Sequence, residues 1–225
     1  HITVAEGVEA NITFDGARIK NQTKYAVLSQ TASIICNPIF PVMDIFGNAN
    51  IYVESDSELM SAGAEENPVI RVTGEMTVKD SEAVLKLIPG AEENNPGEGK
   101  MVICGNMTGA IQPAGSLTVE GGNLDMTGYI KSIDKFIMTG GTITSTCQRD
   151  IGMVTANDIT ILGGIWNQSI ITYGNSESKL FEAYRNIQVS GGNIQIRWLQ
   201  TTPWDVVAFS SPSTHIIGGS LKLGD

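Results

Sequence analysis

No run of about 18 apolar residues occurs in the 225-residue chain, so no segment has the character of a membrane-spanning helix. No basic stretch followed by an apolar one opens it in the manner of a secretory leader. Cysteine is confined to Cys36, Cys104 and Cys147, too scattered for a zinc site and too few for a disulfide framework. The role expected of them is that of small buried hydrophobes. Histidine is scarcer still, with His215 alone beyond the first residue. Positive charge is short as well: 14 Lys and Arg face 24 Asp and Glu, for a net charge of −10. That balance lacks the basic footprint that nucleic-acid phosphates need, and it disfavours anionic membranes and strongly anionic polymers unless a cation bridges.

Aromatic residues make up only 6% and charged residues 17%, against 25 glycines and abundant Ile, Val, Thr and Asn, which is a strand-and-turn mixture. Helix-like composition is limited to two short stretches, Ser81 to Leu87 and Ser178 to Tyr184. What fills the rest is a repeat. It reads Leu117-Thr-Val-Glu-Gly121-Gly-Asn-Leu-Asp-Met126, Phe136-Ile-Met-Thr-Gly140-Gly-Thr-Ile143, Ile159-Thr-Ile-Leu-Gly163-Gly-Ile-Trp166, Ile187-Gln-Val-Ser-Gly191-Gly-Asn-Ile-Gln-Ile196 and His215-Ile-Ile-Gly218-Gly-Ser-Leu-Lys-Leu223. Self-similarity at intervals of about 20 to 30 residues is the mark of a solenoid.

Four and two residues before the first four glycine pairs the side chains are apolar, Leu117/Val119, Phe136/Met138, Ile159/Ile161 and Ile187/Val189, with mostly polar residues between, the period-2 pattern of a half-buried strand. After the pair the apolar phase slips by one, as a bend requires if both strands face one interior, and glycine makes such a bend without a Cβ penalty. Degraded copies lie at Ile12 to Ile19 and Met76 to Leu87, with weaker ones near Gly47 and Gly105, while the segment from Asn37 to Asn67 fits poorly. Each copy is a coil that cannot bury its face alone, so stacked coils share a core. The expected fold is all-β, a parallel, right-handed β-helix solenoid forming a single domain over residues 1–225. Because solenoids carry polar caps at their ends and none is evident, the chain is expected to be a piece of a longer surface protein.

If coils stack in register, outward positions line up into columns. Three residues before the corner the column reads Thr13, Thr77, Thr118, Ile137, Thr160, Gln188 and His215, a preference that strand propensity explains. After the corner the columns read Arg18, Glu82, Asn123, Thr142, Ile165, Asn193, Ser220 and then Lys20, Val84, Asp125, Thr144, Asn167, Gln195, Lys222, with Arg197 extending the same face. Amide, hydroxyl, carboxylate and guanidinium groups on a rigid strand face offer the donors and acceptors that sugar hydroxyls need. The candidate carbohydrate-binding residues are therefore Asn123, Asp125, Thr144, Asn167, Asn193, Gln195, Arg197 and, as an aromatic platform, Trp204. Tyr173 and Tyr184 fall in loop-like stretches and are further possible platforms, whereas Trp166 and Trp198 have the parity of core residues. A merely solvated strand face is the competing explanation for the polar columns.

Two near-identical loops, Gly63-Ala-Glu-Glu-Asn-Pro68 and Gly90-Ala-Glu-Glu-Asn-Asn-Pro96, are spaced by about one coil and would bring Glu65, Glu66, Glu92 and Glu93 together. Converging carboxylates suit calcium, although the chain has no Asp-X-Asp-X-Asp-Gly loop. Four Asn-X-Ser/Thr triplets, at Asn11, Asn21, Asn106 and Asn167, are what chance yields in this composition. Catalysis is not expected. A polysaccharide lyase needs a Lys or Arg base and a hydrolase needs two carboxylates at a set separation; bases are scarce here, and no Ser-His-Asp, Cys-His or phosphate-cradling set stands above the background.

The opening Ile2-Thr-Val-Ala-Glu-Gly-Val-Glu-Ala-Asn-Ile-Thr-Phe-Asp-Gly-Ala-Arg-Ile19, together with the Gly-Gly coils, resembles the β-helical modules of large secreted surface proteins of gut and cellulolytic bacteria. These include adhesin-like proteins and a clostridial carbohydrate-binding family, some of whose members look like calcium-dependent polysaccharide lyases that have lost activity. The resemblance implies a non-catalytic, extracellular or cell-surface module that binds polysaccharide or host glycan. A passive stalk of an adhesin and a calcium-dependent lyase are the alternatives, and the oligomeric state stays open.

Overall fold

The structure, a computed structural model, describes residues 1–21, 41–61, 68–89, 101–105, 115–148, 153–171, 177–199 and 205–224. Every regular element among them is a β-strand, and all strand pairs are parallel. Both stretches of helix-like composition are strand: Val84–Ile88 covers much of the first, and Glu177–Trp198 takes in the second. Leu85 and Leu87 in the first and Leu180, Phe181 and Ala183 in the second are buried, and that burial outweighs local propensity.

The strands fall into three ladders, which the chain visits in the same order on every round. The first joins Ile2–Val4, Met43–Ile45, Ile70–Val72, Met101–Gly105 and the leading part of Tyr129–Met138, then continues through Val154–Ile161 and Glu177–Trp198 to Asp205–Ser210. The second begins with Glu9–Asp15, Asn48–Ser55, Glu75–Val78 and Ser116–Val119 and ends on Ser213–Leu223. The third begins with Arg18–Asn21, Ser57–Ser61, Val84–Ile88 and Asn123–Thr127 and runs on through Thr142–Gln148 and Ile165–Ile171. Parallel strands need crossover connections, and here each crossover is the passage through the other two ladders.

Inward columns carry the core. In the second ladder Ala49, Met76, Leu117, Phe136, Ile159 and Ile187 stack in register and are all buried. The ladders face one another across this core. Phe136 of the second meets Trp166 of the third edge-to-face at 5.6 Å between centroids, and Trp166 meets Phe181 of the first at 5.3 Å. Trp166 is 1% exposed, in the core as its parity indicates, and its buried indole N–H donates to Gln168 Oε1 at 3.1 Å. An indole needs such a partner when buried, which accounts for an amide at an inward position. In the last round the same columns reach Ile216, Leu221 and Leu223, which are 55%, 39% and 45% exposed, because burial in each round comes from its neighbours on both sides.

The glycine pairs form the corners between the second and third ladders, and their two members answer different demands. A Cβ on Gly140, Gly163, Gly191 or Gly218 would collide with the carbonyl oxygen of Glu120, Thr139, Leu162 or Ser190 in the preceding round. The following residue, such as Gly164 at φ 86° or Gly192 at φ 86°, takes a left-handed conformation that side chains resist. Gly47, Gly74 and Gly115 make a second column at the corner between the first and second ladders, where a Cβ would likewise strike the backbone of the round before.

Residues 41–61, which fit the repeat poorly, form a full round without a glycine pair. Ser57 closes its corner: the hydroxyl donates to Ser55 O at 2.8 Å and accepts from Ala17 N at 3.0 Å. Ser81 does the same one round later, donating to Val53 O and accepting from Ala83 N at 3.0 Å. These serine corners differ in length from the glycine corners, and this corrects the register counted from them. Asn123 lies beside Val84 rather than Glu82, and the column of Asp125 runs back through Lys86 and Glu58 to Arg18.

If close backbone approach is what the first glycine serves, Gly191→Ala should lower unfolding free energy by about 2 kcal/mol in denaturant melts. Gly7→Ala, where φ is 74° but space is open, should lose only about 1 kcal/mol. Equal losses would contradict the steric argument.

Candidate functional site

The outer face of the third ladder places the polar columns as stacked strand neighbours. Asp125, Thr144, Asn167, Gln195 and Lys222 are in direct register, as are Asn123, Thr142, Ile165, Asn193 and Ser220. A third column, Thr127, Thr146, Ser169 and Arg197, runs alongside. Adjacent members of a column are about 4.8 Å apart, the strand spacing. A groove of about 400 Å³ opens on this face, lined by Thr144, Asn167, Gln168, Ser169, Gln195 and Arg197.

Four of the residues singled out from the sequence thus converge on one groove, and they share a second property. Among the described residues, the side chains of Thr144, Asn167, Gln195 and Arg197 make no hydrogen bond or ion pair, so their donors and acceptors are left to solvent or a ligand. The remaining candidates differ. Asn123 Nδ2 donates to Glu82 O at 2.9 Å, and Asn193 Oδ1 accepts from Ser220 Oγ at 2.9 Å, so both amides tie one round to the next. Ile165, 43% exposed, interrupts their column. Asp125 sits between Lys86 and Thr144 in register, outside the groove lining. Trp204, Tyr173 and the four acidic-loop residues Glu65, Glu66, Glu92 and Glu93 lie outside the described residues.

Two groove residues escaped the sequence reading. Ser169 follows Asn167 at outward parity and could have been found by extending each column one step. Gln168 could not, because its position is inward and only the demand of Trp166 for an acceptor explains it. Tyr184, expected in a loop, belongs to the strand Glu177–Trp198 and is 57% exposed.

Several other charged groups are mutually satisfied. Asp44, almost fully buried, is held by Arg71 through Nε at 2.5 Å and Nη2 at 2.8 Å, with His1 Nε2 at 3.3 Å, and the Arg71 guanidinium lies 5.7 Å from the centre of the Phe46 ring. Arg185 bridges Asp158 and Asp134, the latter at 3.1 Å, while Asn157 and Asn186 donate to the same carboxylates. Hydrogen bonding to Asp158 raises the Arg185 pKa, and donation to Glu120 at 2.8 Å raises that of Lys79. Both stabilising contributions are complete below the ordinary pKa of the free side chain and vanish only as pH climbs through the raised value, so they are constant through neutral pH. Two carboxylates clamped by one guanidinium are a tie between rounds.

Against protein-family models, curated proteins and solved structures, the chain matches none.

Removing Arg71 leaves a buried carboxylate without its main partner, so Arg71→Met should cost about 3 kcal/mol in thermal or denaturant unfolding. A loss under 1 kcal/mol would show that Asp44 is well solvated. By NMR, the Lys79 ammonium should titrate above its ordinary 10.5, and Glu120→Gln should bring it back; an unchanged titration would remove the ion pair from the account.

Proposed function

We propose that this chain is a β-helical module of a secreted or cell-surface protein that binds polysaccharide or host glycan without catalysis, in the groove of the third ladder. Three parallel ladders visited in fixed order around a shared core are the arrangement that a closed β-helix requires, and parallel crossovers are right-handed by strong preference. The observation that carries the functional reading is the groove lined by Thr144, Asn167, Ser169, Gln195 and Arg197. In it, four polar side chains of mixed donor and acceptor character stand on a rigid sheet with no bond to any of the described residues, while Asn123 and Asn193 beside them are tied up between rounds. Sugar recognition asks for this combination: fixed hydroxyl-matching groups that lose little entropy on binding. The strand spacing of about 4.8 Å also repeats the same chemistry along the axis, which suits a ligand that itself repeats.

A passive stalk is the second reading, favoured by the ion pairs Arg18–Glu58, Lys79–Glu120 and Arg185–Asp158, which use side-chain charge to join rounds. The resemblance to lyase-derived modules supports glycan binding rather than turnover, since the carboxylates of Asp134 and Asp158 are both paired with Arg185. A polysaccharide and glycan array, run with calcium and again with chelator, tests the proposal. Binding should appear and weaken about ten-fold in Asn167→Ala and in Gln195→Ala, the loss of one or two hydrogen bonds each. Chelator sensitivity would bring in the acidic loops and calcium. A blank array would favour the stalk, and unsaturated uronide absorbance with calcium would favour a lyase.

A further inference from the structure

A second recessed surface lies on another face and near the opposite end, on the outer side of the second ladder in its first rounds. It is a shallow, open depression of about 350 Å³ lined by Asn11, Thr13, Tyr52, Val53, Glu54, Asp80 and Ser81. Tyr52 stands at an outward position of Asn48–Ser55, between Ile51 and Val53, which are both buried, and is 38% exposed. A strand holds its side chains perpendicular to the sheet and fixes their direction, so this ring is presented by a rigid scaffold. Its register neighbour in the round before is Thr13, a much smaller side chain, which leaves the space beside the ring open. In the round after, Lys79 is drawn to Glu120 at 2.8 Å and so is held by its own partner.

The polar groups around this ring have a definite character. Asn50 Nδ2 donates to Asn11 Oδ1 at 3.0 Å, which fixes the Asn11 amide and leaves its NH2 group as a donor of set direction. Glu54 and Asp80 make no ion pair or hydrogen bond among the described residues and supply acceptors at the rim. Thr13 adds a hydroxyl. An aromatic face beside an oriented amide and two unengaged carboxylates is complementary to a pyranose, whose C–H face is apolar and whose edge carries hydroxyls. The carboxylates also decide the sign of charge: they accept from hydroxyls and repel a uronate or sulfate. A metal site is a poorer fit, since no group of three or more His, Cys, Asp or Glu side chains converges among the described residues.

We infer that Tyr52, Asn11, Thr13, Glu54 and Asp80 form a second saccharide site, specific for neutral sugars, separate from the third-ladder groove. It shares no residue with that groove and differs from it in having an aromatic platform and acidic rather than basic charge. Two sites on one rigid module let a single surface glycan or polymer engage the chain twice, with the gain in avidity that linkage brings.

The test is NMR titration of the intact chain with neutral cello-, manno- and chito-oligosaccharides and, separately, with an oligogalacturonate. At least one neutral probe should shift the resonances of Tyr52 and Asn11, and should still do so in the chain carrying Asn167→Ala and Gln195→Ala. Tyr52→Ala should weaken that binding about ten-fold and Tyr52→Phe should retain it, because the ring rather than the hydroxyl supplies the platform. Asp80→Asn should let the acidic probe in. Tyr52 is half-exposed, and an unchanged far-ultraviolet spectrum and melting temperature would confirm that each variant folds. Binding that Tyr52→Ala leaves intact and Asn167→Ala removes would overturn this site while sparing the groove. Binding that persists in Asn167→Ala and is lost in Tyr52→Ala would support this site, and no shift with any neutral probe would overturn it outright.

Discussion

The closeness with which one round of backbone lies on the next is the constraint that everything else here answers to. Parallel strands at about 4.8 Å leave no room for a side chain wherever the chain turns directly over the turn beneath it. At Gly163 and Gly191 the carbonyl of the previous round occupies the place of a Cβ, and the residue after each must also bend left-handed. Two constraints at adjacent positions explain why the motif is a pair. Where the corner is longer, as at Ser57 and Ser81, hydroxyls satisfy the turning backbone instead, and the glycine pair is not needed.

Once the rounds are held in register, each outward residue acquires a fixed neighbour above and below, and the polar surface divides into two populations. One joins rounds: Asn50 to Asn11, Asn123 to Glu82 O, Ser220 to Asn193, and Arg185 to two aspartates. The other, represented by Thr144, Asn167, Gln195 and Arg197, lines a groove without such ties. Both populations have the same composition, so composition could not separate them. The separation matters for function because a group already bonded within the protein offers a ligand little net gain.

The interior shows the same dependence on register. Gln168 stands in a column that begins with Ile19, Leu59, Leu87 and Met126, passes through Ser145 and returns to Ile196. Taken alone, a buried Ser145 and Gln168 look like faults in an apolar core. Each has its bond, Ser145 to Gly128 O at 2.9 Å and Gln168 to the Trp166 indole, so the large aromatic at the centre and the amide beside it form one feature.

Alternation and the glycine pairs made the strands, their parallel stacking and the inward residues from Leu117 to Ile196 legible in the sequence, because both signals are local: a period of two and a corner that tolerates no Cβ. The polar face with Asn167, Gln195 and Arg197 was legible for the same reason. Register in the first rounds was not. It depends on how many residues each corner holds, and serine corners carry no signature as plain as Gly-Gly, so Arg18 and Glu58 found their columns only in three dimensions. Nor could the sequence tell an amide that ties two rounds, such as Asn123, from one that faces a groove, such as Asn167. That difference belongs to the neighbour stacked one round away, which lies tens of residues distant along the chain and is fixed only by the fold.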